Sequence, residues 1–140
     1  MRLSIHLLIV ITMLRKHKYK MMVEILVLSS FLVKYAAADT RLENVINHLF
    51  EYIRESNCTF IRNDKEYDAN AAAEHIRKKY DHFKNKIHTP EDFIELCATK
   101  SLLSGRPYFV KCRDGVLIRC AEWLKKELIK YLEASRRTVP

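Results

Sequence analysis

The chain has 140 residues, with 25 Lys plus Arg against 17 Asp plus Glu, a formal net charge of +8 and a pI near 9.4. That length allows one domain rather than two. With 49% hydrophobic and 30% charged residues and only 2 Gly and 3 Pro, it reads as a helix-rich folding chain, which excludes collagenous, mucin-like and linker-like sequences.

Residues 1–38 differ in kind from the rest. Two apolar runs, Leu3 to Leu14 and Met21 to Val33, flank the bases Arg15, Lys16, Lys18 and Lys20. Basic patch, apolar run and Ala36-Ala37-Ala38 follow one another as in a secretory signal peptide, with cleavage expected between Ala38 and Asp39. A membrane-spanning helix needs about 20 nearly uncharged apolar residues. The first run stops at 12 residues, the second carries Glu24, and four bases separate them. Met13, Met21 and Met22 are alternative starts to Met1, and a start at Met13 keeps the basic region intact. Removal of residues 1–38 takes six bases and one acid and leaves +3 on 102 residues. The mature chain, 39–140, is then a near-balanced single domain. Neither a nucleic-acid partner nor a stable membrane anchor is expected of it.

In chain order, Thr40-x-x-Glu43 reads as a capping box opening a helix with Leu42, Val45, Ile46, Leu49 and Ile53 on one stripe, ending near Ser56-Asn57. Cys58 to Arg62 and Lys65 to Tyr67 flank Asn63-Asp64, two residues that tolerate positive φ, and predict a β-hairpin. Asp68 caps a second helix whose stripe is Ala69, Ala72, Ala73, Ile76, Tyr80, Phe83 and Ile87. Glu74 with Lys78, and Arg77 with Asp81, are expected as solvated pairs on its outer surface. Thr89-Pro90-Glu91-Asp92 opens a third helix burying Phe93, Ile94 and Cys97. After a loop from Thr99 to Pro107, Tyr108 to Cys112 and Val116 to Arg119 predict a second hairpin about Asp114-Gly115. A fourth helix closes the chain with Ala121, Leu124, Leu128, Tyr131 and Leu132 inward, and a frayed tail from Ser135. The fold class is therefore α+β, in the order αββα-αββα, with the two hairpins in one small antiparallel sheet packed by about four helices. Ala73 to Lys78 beside Ala121 to Lys126 suggests an internal pseudo-repeat, although six residues of amphipathic helix also look alike by chance.

Cys58, Cys97, Cys112 and Cys120 are an even number in an exported chain, which fits disulfides, while four buried thiols acting as small apolar groups fit as well. A two-residue turn at Asp114-Gly115 places Cys112 and Cys120 on opposite faces of the second hairpin. A bridge within that hairpin is then disfavoured, and Cys58 or Cys97 becomes the partner. No zinc spacing is present: His75 and His82 lie about 10 Å apart along a helix, and two ligands of one zinc each sit about 2.1 Å from it. Neither a metal nor another cofactor is expected.

The most informative polar set is Arg62, Asn63, His75, Arg77, Lys79, Ser101, Ser104, Gly105 and Tyr108. Helical geometry turns Arg77 about 200° from His75 and Lys79, so one small pocket uses His75 with Lys79, or Arg77, but hardly all three. The Ser101-x-x-Ser104-Gly105 loop offers hydroxyls and a flexible backbone to an anionic or peptide-like ligand. It is equally a tight turn that needs Gly105 for positive φ and Pro107 to fix the start of the strand. Phe60 with Tyr67, and Trp123 with Leu124, read as packing residues.

Cys58-Thr59-Phe60-Ile61-Arg62-Asn63, Ala73-x-His75-Ile76-Arg77-x-Lys79, Thr89-x-x-x-Phe93-Ile94, Ser101-x-x-Ser104-Gly105-x-Pro107-Tyr108 and Trp123-Leu124 occur in that order. Together they resemble a family of short exported bacterial proteins known as domain of unknown function 5329. The resemblance covers nearly all of the mature chain and implies a periplasmic or secreted protein of a Gram-negative bacterium, without implying an activity. Asp64 departs from the Gly the family usually has after Asn, and Cys97, Cys112 and Cys120 are not part of its pattern. The expected function is a non-catalytic binding or interaction module for an anionic or peptide-like ligand or a protein partner in the periplasm. Its ligand-facing residues are expected to be Arg62, His75, Lys79, Ser101, Ser104 and Tyr108. The alternative is a small hydrolase using Ser104 or Cys58 with His75; no catalytic motif frames those residues.

Overall fold

The computed structural model describes the backbone of residues 2–137 and the side chains of residues 19–24, 26–29 and 39–137. Residues 1–40 and 41–140 form two compact units. The first belongs to helix α1, Arg2–Glu55, in which Met22, Leu26 and Leu28 are exposed. No described helix is long and apolar enough to cross a membrane.

The second unit is an α+β domain. After α1 come β1 (Thr59–Arg62), β2 (Lys65–Tyr67), α2 (Ala69–Phe83), a 3-10 turn (Lys84–Lys86), α3 (Pro90–Phe93), a π-helical turn (Ile94–Ala98), β3 (Phe109–Lys111), β4 (Leu117–Arg119) and α4 (Cys120–Arg137). The two hairpins join through their first strands into one antiparallel sheet of order β2-β1-β3-β4. That order is symmetric about the β1–β3 seam, as a pseudo-two-fold arrangement requires.

Thr40 does not open a helix, because α1 runs through it. The three alanines before it are strong helix formers, and a cap residue must itself stand outside the helix. Glu43 instead accepts a hydrogen bond from Tyr80 Oη at 3.0 Å. The predicted end is observed at Glu55. Val45, Ile46, Leu49 and Ile53 are buried as the stripe implies, and Phe50 joins them on its flank. Phe50, Tyr80 and Phe93 meet edge to face, tying α1 and α2 to the α3 turn.

Asp68 caps α2 by accepting from the Ala71 amide at 2.8 Å. Ala69, Ala72, Ala73, Ile76 and Tyr80 are buried, whereas Ile87 is buried from beyond the helix end, past the 3-10 turn. Arg77 is not paired on the surface as predicted: its guanidinium lies 3.7 Å from the Phe50 ring centroid, where the aromatic face attracts the cation and the side chain packs on α1. Thr89 and Asp92 close a reciprocal capping box, and Phe93, Ile94 and Cys97 are buried. The third helix gives only one α turn before it widens into the π turn.

The first hairpin has the predicted two-residue turn, with Asn63 and Asp64 at φ 51° and 63°. The second differs. Its pairs are Val110 with Ile118 and Lys111 with Leu117, so the turn spans three residues, Arg113, Asp114 and Gly115. The Gly115 amide bonds the Cys112 carbonyl at 2.9 Å and Gly115 takes φ 73°, so a left-handed residue closes the three-residue turn. One extra residue moves β4 by one position against β3, and Cys112 and Cys120 come to the same face instead of opposite faces. Cys112 nonetheless pairs outside its hairpin. The β1–β3 register sets Thr59 against Lys111, hence Cys58 against Cys112, and the two form a disulfide with Cα atoms 4.3 Å apart. Cys97 and Cys120 are buried free thiols. At the carboxyl end α4 continues through Ser135, whose hydroxyl bonds the Tyr131 carbonyl at 2.8 Å. The predicted fraying therefore does not begin there, and residues 138–140 lie outside the described residues.

Candidate functional site

Strand alternation puts Phe60 and Arg62 of β1, Tyr67 of β2 and Tyr108 before β3 on the sheet face that meets α2. The apolar stripe of α2 anchors that helix over the sheet, and His75, one residue before buried Ile76, reaches Arg62 of β1 and Tyr108 before β3. A cleft of about 200 Å³ results, with Arg62, Tyr67, His75 and Tyr108 as its polar lining and Phe60, Ala72, Ile76 and Cys120 among its apolar walls. Glu74 and Lys78 stand exposed at its edge.

The polar groups form a chain. Arg62 Nη1 lies 2.6 Å from His75 Nδ1, and Arg62 Nη2 donates to Tyr67 Oη at 3.0 Å. His75 Nε2 lies 3.0 Å from Tyr108 Oη. A guanidinium only donates, so His75 Nδ1 accepts, the proton sits on Nε2, and Nε2–H donates to Tyr108. The tautomer is thus set by Arg62. Burial, then the positive charges of Arg62, Lys79 and Lys78, pull the His75 pKa down to about 4, which keeps the ring neutral at neutral pH. Burial raises the Tyr108 pKa, so its hydroxyl stays protonated. Both tyrosine oxygens accept a bond, and neither hydroxyl proton has an acceptor among the described residues. With two N–H groups engaged, Arg62 keeps three of five. The chain therefore ends in donors without an acceptor among the described residues, on side chains that line the cleft.

Of the predicted ligand-facing residues, the structure brings Arg62, His75 and Tyr108 together and leaves Lys79, Ser101 and Ser104 off the cleft. Lys79 is buried at 5% exposure, donates to the Lys100 carbonyl at 2.8 Å and lies 5.1 Å from the Tyr108 ring centroid. Burial lowers its pKa. Ser101 is also buried, its backbone closing the loop through the Arg106 carbonyl and the Gly105 amide, both at 2.9 Å. Ser104 Oγ donates to Asn63 Oδ1 at 2.7 Å, and Arg106 pairs with Asp64. The loop is thus a turn docked on the first hairpin, with Gly105 at φ 69° as the turn reading requires.

The hydrolase arrangement is not assembled. Cys58 is in a disulfide and has no thiol, Ser104 is committed to Asn63, and both nitrogens of His75 are engaged by Arg62 and Tyr108. Burial pushes the Cys97 and Cys120 thiols up to about 11 and about 12, leaving them protonated and weakly nucleophilic. No group of His, Cys, Asp and Glu among the described residues could hold a metal ion.

Sequence reasoning missed Tyr67, Glu74 and Lys78 as cleft residues. The signal for Tyr67 was present: pairing of Phe60 with Tyr67 and Arg62 with Lys65 makes Arg62 and Tyr67 diagonal neighbours on one sheet face. Glu74 and Lys78 flank His75 at ordinary helical spacing and carry no such mark.

An α+β domain with an arginine-histidine-tyrosine chain facing a cleft does not by itself define an activity, and known proteins give a family rather than a function. The family model described as "Family of unknown function (DUF5329)" matches residues 40–132, so the chain belongs to that family. It is 32% identical over 73 residues to "Uncharacterized protein YfeK" of Salmonella typhimurium, covering 52% of this chain and 58% of that protein. No solved structure matches.

Proposed function

We propose that the chain is an exported, non-catalytic binding module whose cleft takes an anionic group on Arg62, Tyr67 and Tyr108. The observation that carries this reading is the direction of the hydrogen-bond chain. His75 is fixed as acceptor from Arg62 and donor to Tyr108, so the chain keeps donor protons on Arg62, Tyr67 and Tyr108 beside the permanent positive charge of the guanidinium. Residues 1–38, with their basic, apolar and Ala36-Ala37-Ala38 segments, support export to the periplasm or beyond with cleavage after Ala38. The Cys58–Cys112 bridge fits the same oxidising compartment.

The test is an NMR titration of the full chain with acetate, phosphate and sulfate, following the Tyr67 and Tyr108 ring signals and the Arg62 side-chain N–H signals. At least one anion shifts these together, and Arg62→Gln removes the response. If all three leave the signals in place, the anion-site reading fails. Amino-terminal sequencing of the exported protein tests cleavage before Asp39.

A further inference from the structure

We infer that the anion this cleft accepts is a monocarboxylate carrying one compact apolar group, rather than a phosphate or sulfate. This inference rests on the anion-binding reading above and narrows it to a ligand class.

The charge balance comes first. Arg62 is the one permanently charged group in the polar chain; its neighbours there are two hydroxyls and an imidazole that accepts its proton bond from Arg62. The edge adds Lys78, but Glu74 stands on the same edge with the opposite sign. A dianion in such a site keeps an uncompensated charge against apolar walls, which is costly. One carboxylate is balanced by one guanidinium, which has three N–H groups left to donate to its oxygens. Tyr67 and Tyr108 supply a further donor each.

The walls decide the rest of the ligand. Phe60, Ala72 and Ile76 are buried core residues whose cleft-facing surface offers nothing to a second polar group. A cleft of about 200 Å³ has room for a branched aliphatic or small aromatic group with its carboxylate. Such a group displaces water from apolar surface, while a fully polar ligand of that size leaves the walls unmatched. The same chemistry is carried by a free small acid and by the carboxyl terminus of a peptide ending in an apolar residue.

The experiment is isothermal titration of the full chain with 4-methylpentanoate, its primary amide, acetate, 3-methylbutylphosphonate and an N-acetylated tripeptide ending in leucine. The expected result is that 4-methylpentanoate binds at least ten-fold tighter than the amide, acetate or the phosphonate. Arg62→Gln loses at least ten-fold. Ala71→Phe, which narrows the cleft from a partly exposed helix position one turn before His75, also loses binding. Tighter binding of the tripeptide than of the free acid assigns the source to a chain terminus, and the reverse order assigns it to a free acid; both support the carboxylate class. Phosphonate binding as tight as that of the carboxylate, still lost in Arg62→Gln, overturns the class and leaves the anion site standing. Binding of the amide equal to that of the acid overturns both. Absence of binding by every probe to a chain whose circular dichroism shows it folded also overturns both.

Discussion

The cleft and the Ser101–Pro107 loop are built from the same kinds of residue, and they differ in where their hydrogen bonds end. In the loop, Ser101, Ser104, Gly105 and Arg106 bond one another or the Asn63-Asp64 turn, so the polar groups close on the protein. In the cleft, Arg62, His75, Tyr67 and Tyr108 form a chain whose ends still carry donor protons. A polar residue in a recurrent motif is thus weak evidence for a ligand until its bonding capacity is counted. A closed set orders a turn, and an open set at a concave surface has something left to bind with.

The largest expected effect falls on both regions together. The Cys58–Cys112 bridge ties β1 to β3 across 54 residues of sequence, and the loop leads directly into β3. Closing a loop of that length restricts the unfolded chain by about 4 kcal/mol. Cys58→Ala with Cys112→Ala should therefore lower the melting temperature by more than any other change considered, and reduction of the wild type should act likewise. Thiol titration in denaturant checks the pairing: two reactive thiols per chain without reductant and four with it, because Cys97 and Cys120 are free. In the native protein both should react slowly, since burial keeps them protonated. The comparison sharpens with Gly105→Ala. A methyl group there meets nothing within 4 Å, so its cost is that of φ 69° alone, about 1 kcal/mol. Stability should fall by that amount while ligand binding at the cleft holds.

Much of this architecture was legible in the sequence because its signals are local. Asp68 and Thr89 announced two helix starts, Asn63-Asp64 a two-residue turn, and the stripe from Ala69 to Tyr80 a buried face. The failures came where a longer-range term decided. Thr40 has the chemistry of a cap, but whether a helix begins there depends on residues upstream of it. Asp114-Gly115 marked the second hairpin correctly and its length wrongly, since Gly is as suited to closing a three-residue loop as to a two-residue turn. Half of the predicted ligand set, Arg62, His75 and Tyr108, lines one cleft. The other half was indistinguishable by residue type, because a hydroxyl does not disclose whether its acceptor will be a ligand or Asn63.

Ser104→Ala sets the two regions apart directly. It removes the bond to Asn63 on an exposed loop and should cost roughly 0.5 to 1 kcal/mol in a denaturation experiment. The affinity of the cleft for a carboxylate should stay within two-fold of wild type. A ten-fold loss would mean that the loop takes part in binding and that the contrast drawn between the regions is false.

A last effect concerns pH and belongs to the cleft alone. Burial and the charges of Arg62, Lys79 and Lys78 hold the His75 pKa at about 4 in the folded chain, against an ordinary value of 6.5. Between these values the unfolded chain takes up a proton that the native chain refuses, so stability falls as pH drops from about 6.5 to about 4. Above that window neither state binds the proton, and below it both do. His75→Gln retains an acceptor for Arg62 and lacks the titration. The melting temperature of the wild type minus that of the variant should therefore shrink steadily from pH 7 to pH 4 and then level off. Because His75 is only half-buried, solvent screening makes the change smaller than the full shift would give. A difference constant across that range would mean that His75 is not held neutral by its neighbours, and the direction assigned to the Arg62–His75–Tyr108 chain would fall with it.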